Sequence, residues 1–335
     1  MTKKLMSNHG RLSMQSVVRL MLCLTVMVTL VLSIGVQASN YPNKPVIMIV
    51  SYAAGGGTDV AARTVAKYAE KYLGQPIIVE NRTGAGGQIG FTALAKSKAD
   101  GYTIGLINVP AINLIAAIRS GVTYKMADFE PIANVVLDPM VLAVKADSKF
   151  ETMADLVEYA RDNPGKVVIG YDGPQTNNHL QTIVMEQVLG IELTQVPYTG
   201  AAPSIVATLG GQVDVSMPAA GEALQYVENG QMRVLAVFWP TRFAGLPDCP
   251  TFEEATGQAI AAVGASSRGI GAPVGMPRDR FEKLQDAFAK AIADPEFVEK
   301  AEQIGLPLQY LNGPDFAKLI EETEANLQQY VDIMK

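Results

Sequence analysis

The sequence predicts an α/β protein with two lobes, and three observations carry that prediction. Short apolar runs alternate with helix-periodic stretches along nearly the whole chain, which implies a mainly parallel sheet covered by helices. Two such blocks, at about 42–130 and 150–240, are followed by helical sequence from about 279. No Pro/Ser-rich linker separates the blocks, so the chain is expected to cross between lobes rather than form sequential domains. The expected division is 39–141 plus 264–335 for one lobe and 142–263 for the other. With 48% hydrophobic and 18% charged residues over 335 positions, a sizeable core is available and disorder is excluded.

The first element is a leader. Leu20 to Val36 carries no charge, and Lys3, Lys4, Arg11 and Arg19 precede it without an acid. Val36-Gln37-Ala38 fits small-x-small cleavage before Ser39, so residues 1–38 are expected to be a signal peptide that directs export to the periplasm. The alternative is an uncleaved anchor, because 17 apolar residues almost span a bilayer. Pro45–Val50 follows as a strand buried on both faces. A glycine-rich turn leads into a helix with Ala61, Val65, Tyr68 and Tyr72 on one face, ended by Gly74. Strand 76–80, a second glycine-rich turn, a helix to about Ser97 and strand 102–107 come next. Thr152 and Asp155 have capping-box spacing, and Asn163-Pro164-Gly165 closes the helix they open. Strands at 166–170, 193–197, 213–217 and 233–239 then alternate with helices at 178–189, 202–209 and 221–229. Three helices end the chain, with Pro295 opening the second and Gly313-Pro314 preceding the third.

Composition excludes several functions. Removal of residues 1–38 takes the net charge from −6 to −10, a poor match for nucleic acid or an anionic membrane. One cysteine, Cys249, and one histidine, His179, then remain. They permit neither an internal disulfide nor a Cys/His zinc site, and any His-dependent nucleophile would have to use His179. No metal, cofactor or catalytic set is therefore assigned.

The polar chemistry sits in loops at strand ends. Ser51–Asp59 (Ser-Tyr-Ala-Ala-Gly-Gly-Gly-Thr-Asp) joins a buried strand to a helix, where backbone N–H groups and the helix dipole favour an anion. It lacks the Lys-Ser/Thr of a Walker loop, and Thr58 or Asp59 could equally serve as the helix cap. A side chain at Gly56 is expected to obstruct a ligand and to exclude backbone angles that glycine permits. Asn81–Gly90 has a similar grammar but follows the second strand, so it is read as a close-packed turn rather than a dinucleotide site. Gly170–His179 offers Asp172, Thr176 and Asn177 as caps or ligand donors. Pro197–Pro203 offers Tyr198 as either a ligand cover or a core aromatic.

The order of these segments resembles the Bug family of periplasmic solute-binding receptors of tripartite tricarboxylate transporters. The resemblance is carried by Tyr41-Pro42-Asn43-Lys44-Pro45, Gly55-Gly56-Gly57-Thr58-Asp59, Gly74-Gln75-Pro76 and Val79–Gly87. It continues through Asp100-Gly101-Tyr102-Thr103, Pro197-Tyr198-Thr199-Gly200, Gly211-Gln212-Val213-Asp214, Leu246–Glu254 and Gly271-Ala272-Pro273. It implies a two-lobed Venus flytrap of the type II periplasmic-binding class that holds a small carboxylate through loop backbone groups and waters. Carried over, the ligand residues are Tyr52, Ala54, Gly55, Gly56, Gly57, Thr58, Asp59, Asn108, Asp172, Thr176, Asn177, Tyr198, Thr199, Gly200 and Ala201. Ala53-Ala54 replaces the family's usual proline, Thr199 stands where a cation is common, and Asp172 stands where small residues are usual. A highly charged tricarboxylate therefore fits poorly, and Asp172 is free to meet a ligand ammonium or hydroxyl, or to stabilise its own turn.

The implied function is extracytoplasmic capture of a di- or tricarboxylate, aromatic acid or amino acid, by a monomer that delivers it to integral-membrane transporter subunits. A nucleotide-binding α/β enzyme and a ligand sensor for a signalling partner are the alternatives; catalytic turnover would select the enzyme.

Overall fold

The computed structural model describes residues 41–334; the leader, its cleavage site and the anchor alternative lie outside the described residues. The chain opens with β1 (Val46–Val50), α1 (Gly57–Leu73), β2 (Ile77–Asn81), α2 (Gln88–Ala95), β3 (Thr103–Val109) and α3 (Ala111–Ile118). Strands β4 (Phe129–Asp138) and β5 (Met140–Lys145) follow, then α4 (Met153–Asp162), β6 (Val168–Tyr171), α5 (Asn177–Leu189) and β7 (Thr194–Pro197). The middle of the chain closes with α6 (Ala201–Leu209), β8 (Val215–Ser216), α7 (Ala220–Glu228), β9 (Met232–Phe238) and α8 (Phe252–Thr256). The last part holds β10 (Ser266–Pro273), α9 (Arg278–Ile292), α10 (Pro295–Gln303), β11 (Leu308–Asn312) and α11 (Gly313–Leu327).

Two sheets result. The first has the order β11-β4-β10-β3-β1-β2 and the second β7-β6-β8-β5-β9. The chain leaves the first sheet at Asp138 and enters the second at Met140, with Pro139 alone between them. It returns between β9 and β10. Met140 and Val141, expected with the first lobe, pair with Phe238 and Val237 in the second sheet.

Each sheet is covered on both sides, and strand periodicity shows how. In β1, Met48 and Val50 enter a core with Ala62, Val65, Leu284 and Phe288 from α1 and α9. Ile49 points the other way, to Phe91, Ile112 and Phe316 from α2, α3 and α11. In β5, Leu142 and Val144 face Leu156 and Met185, whereas Val141 and Ala143 face the α6–α7 side. Burying each large apolar side chain among these contributes roughly 1.5–3 kcal/mol, which is why both strands are continuous apolar runs.

Several local expectations hold for their stated reasons. Gly74 ends α1 in the left-handed conformation at φ 81°, donating its N–H to the Glu70 carbonyl. Thr152 accepts the Asp155 N–H, and Asp155 accepts the Thr152 N–H in return. The three C-terminal helices form, with Pro295 as the first residue of the second.

The sheets are mixed rather than mainly parallel. β1 is parallel to β2 and β3, and β6 to β7 and β8. β10 is antiparallel to β3 and β4, β11 to β4, and β5 to β8 and β9. β4, β5, β10 and β11 were not expected from the sequence. β10 is central yet reads Ser-Ser-Arg-Gly-Ile-Gly-Ala-Pro, because a side chain at Gly269 would collide with the Phe316 ring and one at Gly271 would press on Ile107 at 3.2 Å. Close packing removed the β-branched residues that would have marked it.

Candidate ligand site between the two sheets

Four helices begin at one cavity. The N-caps of α1 (Gly56), α5 (Thr176), α6 (Gly200) and α7 (Ala219) all line it, the first from beside one sheet and the others from beside the second. Helix N-termini carry partial positive charge and unpaired N–H groups, so their convergence favours a carboxylate.

The first turn is shaped from behind. Gly55 lies at φ 81°, a conformation suited to glycine. Asp59 reaches back from α1, its Oδ2 accepting the Gly55 N–H at 3.0 Å and the Arg63 Nε–H at 3.0 Å. Its Oδ1 accepts from Asn81 at 2.9 Å. Burial opposes ionisation of Asp59, but the hydrogen bonds from Arg63, Gly55 and Asn81 outweigh it, and its pKa is lowered. Neither Thr58 nor Asp59 is the cap; Gly56 is, without a side-chain bond. Gly56 itself is extended at φ −79°, and a Cβ there would meet only the Ala53 carbonyl at 3.5 Å. Its expected need for glycine angles is therefore corrected, and that need belongs to Gly55.

Thr58 accepts from the Asn108 amide at 2.8 Å, leaving Asn108 Oδ1 buried without a partner. Asn177 spans the two sheets, accepting the Ala111 N–H at 3.0 Å and donating to the Val109 carbonyl at 3.2 Å. Thr176 Oγ1 donates to the Gly173 carbonyl at 2.7 Å.

A charged cluster closes the other side. Arg268, on β10 and 2% exposed, donates Nη1 to Asp138 and Nη2 to Glu222, both at 3.0 Å. Its Nε has no partner. Glu222 Oε1 also accepts the Gly57 N–H at 2.8 Å, so one donor expected for a ligand is occupied by a side chain from the opposite sheet's helix. Burial raises Asp138 to about 6, with Arg268 opposing and Glu222 assisting. Burial, with the Glu222 charge, pushes Asp172 up to about 8. Asp172 Oδ1 is buried and unpartnered.

Of the expected residues, Tyr52, Gly56, Gly57, Thr58, Asn108, Asp172, Thr176, Asn177, Gly200 and Ala201 line the cavity. Ala54, Gly55, Asp59, Tyr198 and Thr199 do not. Ala54, Gly55 and Thr199 are exposed, Asp59 braces the turn, and Tyr198 packs beside Gly170 of β6. Arg268, Glu222, Ser266, Asn178, Met140, Ala219 and Ala53 complete the lining and were missed. Arg268 lies in a glycine-rich segment that did not read as a strand, and Glu222 is an acid in the first turn of an otherwise unremarked helix; neither has a neighbour in sequence that marks it.

The remaining candidates are structural. His179 stacks on Tyr171 with ring centroids 4.7 Å apart and accepts the Gln175 N–H. Burial pushes it down to about 4, so it is neutral. Burial pushes the Cys249 thiol up to about 12.

Comparisons with known proteins place the chain in a family. The family described as "Tripartite tricarboxylate transporter family receptor" matches residues 61–334. A Cupriavidus necator relative, "UPF0065 protein in gbd 5'region", is 34% identical over 287 residues, covering 86% of each chain. Protein BugT of Bordetella pertussis is 34% identical over 65% of this chain and 68% of its own. The structure of periplasmic binding protein BugD superposes with a TM-score of 0.82 at 30% identity, covering 88% of this chain and 98% of that one. An R. palustris structure solved with adipate gives a TM-score of 0.83 at 27% identity, covering 88% and 98%. The chain belongs to the tripartite tricarboxylate transporter family of periplasmic solute-binding receptors, the Bug family.

Proposed function

We propose that the chain is exported, that its leader is removed after Ala38, and that it captures a small carboxylate and delivers it to the membrane subunits of a tripartite transporter. It does so as a monomer and without catalysis. The observation that carries this reading is the meeting of four helix N-termini, drawn from both sheets, at one cavity. The adipate bound in a 27% identical structure supports the ligand class. The cavity is small, about 30 Å³, and is walled by residues from beside both sheets, so parting of the two sides would admit the ligand. Opening and closing of the two lobes is the corresponding motion. Thermal-shift screening of mono- and dicarboxylates, amino acids included, should find a saturable stabiliser. Small-angle scattering should then show a more compact particle when that compound is bound. Scattering profiles that coincide with and without it would contradict closure. N-terminal sequencing of periplasmic protein should begin near Ser39.

A further inference from the structure

We propose that Asp172 is the specificity-determining residue of this site, and that the ligand pairs one carboxylate with a protonated amine that docks on Asp172. The inference rests on the receptor reading above and names the ligand class within it.

The argument starts from charge. Arg268 is the cation of the cavity wall, and both of its terminal nitrogens are already engaged by Asp138 and Glu222. Asp172 is a third carboxyl group in the same cluster, with no cation of its own to hold it ionised. The converging helix N-termini can hold one carboxylate, but a second would join an existing surplus of negative charge. Unpaired atoms point the same way. Asp172 Oδ1 and Asn108 Oδ1 are buried acceptors without donors, and Asn108 is only 4% exposed. An ammonium carries three N–H donors and the missing positive charge, whereas a hydroxyl supplies one donor and no charge. Arg268 Nε, the unpaired donor in the cluster, is left for the ligand carboxylate.

The groups facing Asp172 are Glu222 from α7, Arg268 from β10, Tyr52 from the β1–α1 turn and Asn178 from α5. Tyr52 has its hydroxyl pKa raised by burial and stays neutral, as does His179 at the start of α5. Free Asp172, pushed up to about 8, holds a proton at pH 7, and an arriving ammonium displaces it. Binding should therefore release a proton, and affinity should rise from pH 6 to 8. A plain carboxylate accepting a hydrogen bond from protonated Asp172 would bind with the opposite pH dependence.

The test is calorimetry with matched probes: L-alanine and propionate, L-glutamate and glutarate, L-phenylalanine and 3-phenylpropionate, with adipate alongside. Each is titrated at pH 7 in two buffers of different ionisation enthalpy. At least one amine-bearing probe should bind tenfold or more tightly than its partner and release a proton. Asp172→Asn, checked for folding by circular dichroism, should cut the ratio of amine-bearing to des-amino affinity tenfold or more. A des-amino partner or adipate that binds as well as every amine-bearing probe overturns the inference and leaves the receptor reading standing. So does a preference that survives Asp172→Asn. Absence of binding by every amine-bearing probe overturns the inference as well, whereas the receptor reading stands or falls on the thermal-shift screen.

Discussion

The two glycine-rich turns, 51–59 and 81–90, leave adjacent parallel strands and lead toward helices, yet they end in different surroundings. The first presents Tyr52, Gly56, Gly57 and Thr58 to the cavity. The second is packed shut: a Cβ at Gly86 would lie 2.6 Å from the Pro174 carbonyl, and one at Gly87 would lie 2.8 Å from the Phe91 ring. An arginine holds each turn in place, but with different partners. Arg119 donates to the Ala85 and Pro174 carbonyls and to the Gln88 and Gln175 amides, all neutral. Arg268 donates to two carboxylates, one of which also holds the Gly57 N–H. Glycine spacing states that the chain turns tightly. What stands in front of the turn is decided by residues far along the chain.

This contrast can be broken from either side. The largest effect should come from Arg268→Met, which leaves Asp138 and Glu222 buried without their cation and should cost about 3–5 kcal/mol. Chemical denaturation would measure it, and a loss below 1 kcal/mol would mean the cluster is not holding the first turn. Next is Gly86→Val. At φ 60°, with the Pro174 carbonyl in its way, it should cost about 2–4 kcal/mol while leaving carboxylate affinity in the folded protein unchanged. An affinity loss without a stability loss would place the second turn in the site.

Acidity should separate the turns more gently. Carboxylates surround the first turn, whereas the acceptors holding Arg119 do not titrate. Asp172 is held near 8 in the folded chain, above its usual 3.8, so the folded state binds the extra proton and stability falls as pH rises toward 8. Asp172→Asn should abolish that fall, as read by chemical denaturation across neutral pH. Below 6.5, neutral His179 opposes the trend, because its pKa is lowered on folding and the unfolded chain takes up the proton first. The last comparison sets neighbours within the first turn against each other. Gly57→Ala drives a methyl into Glu222 and should cost about 1.5–3 kcal/mol if the Gly57 bond is lost without replacement, less if Glu222 swings aside. Gly56→Ala, in open space, should change stability by less than about 0.5 kcal/mol.

The parallel parts of both sheets were legible because their strands are apolar on both faces and their helices start and stop on capping residues such as Thr152 and Gly74. Among the antiparallel strands β9 was legible as an apolar run, but β4, β5, β10 and β11 were not. β10 exchanges side-chain bulk for close contact at Gly269 and Gly271, and β11 is an edge strand with Tyr310 in solvent. The site divides in the same way. Turn residues carry a local signature and could be found, including Gly56–Thr58 and Asn177. Arg268 and Glu222 owe their place to tertiary pairing between β10 and α7, which no window of sequence contains. Asp59 was legible as important to its turn, but its carboxylate is spent on Gly55, Arg63 and Asn81 rather than turned toward the cavity.

Hydrogen–deuterium exchange, with and without a saturating carboxylate found by thermal shift, tests the central claim most directly. The account predicts slowed exchange at 52–58, 172–178, 200–202, 219–222 and 266–268, on both sheets' sides of the cavity, with 82–90 unchanged. Protection confined to one side, or appearing at 82–90 while 52–58 stays as before, would contradict capture between the two lobes.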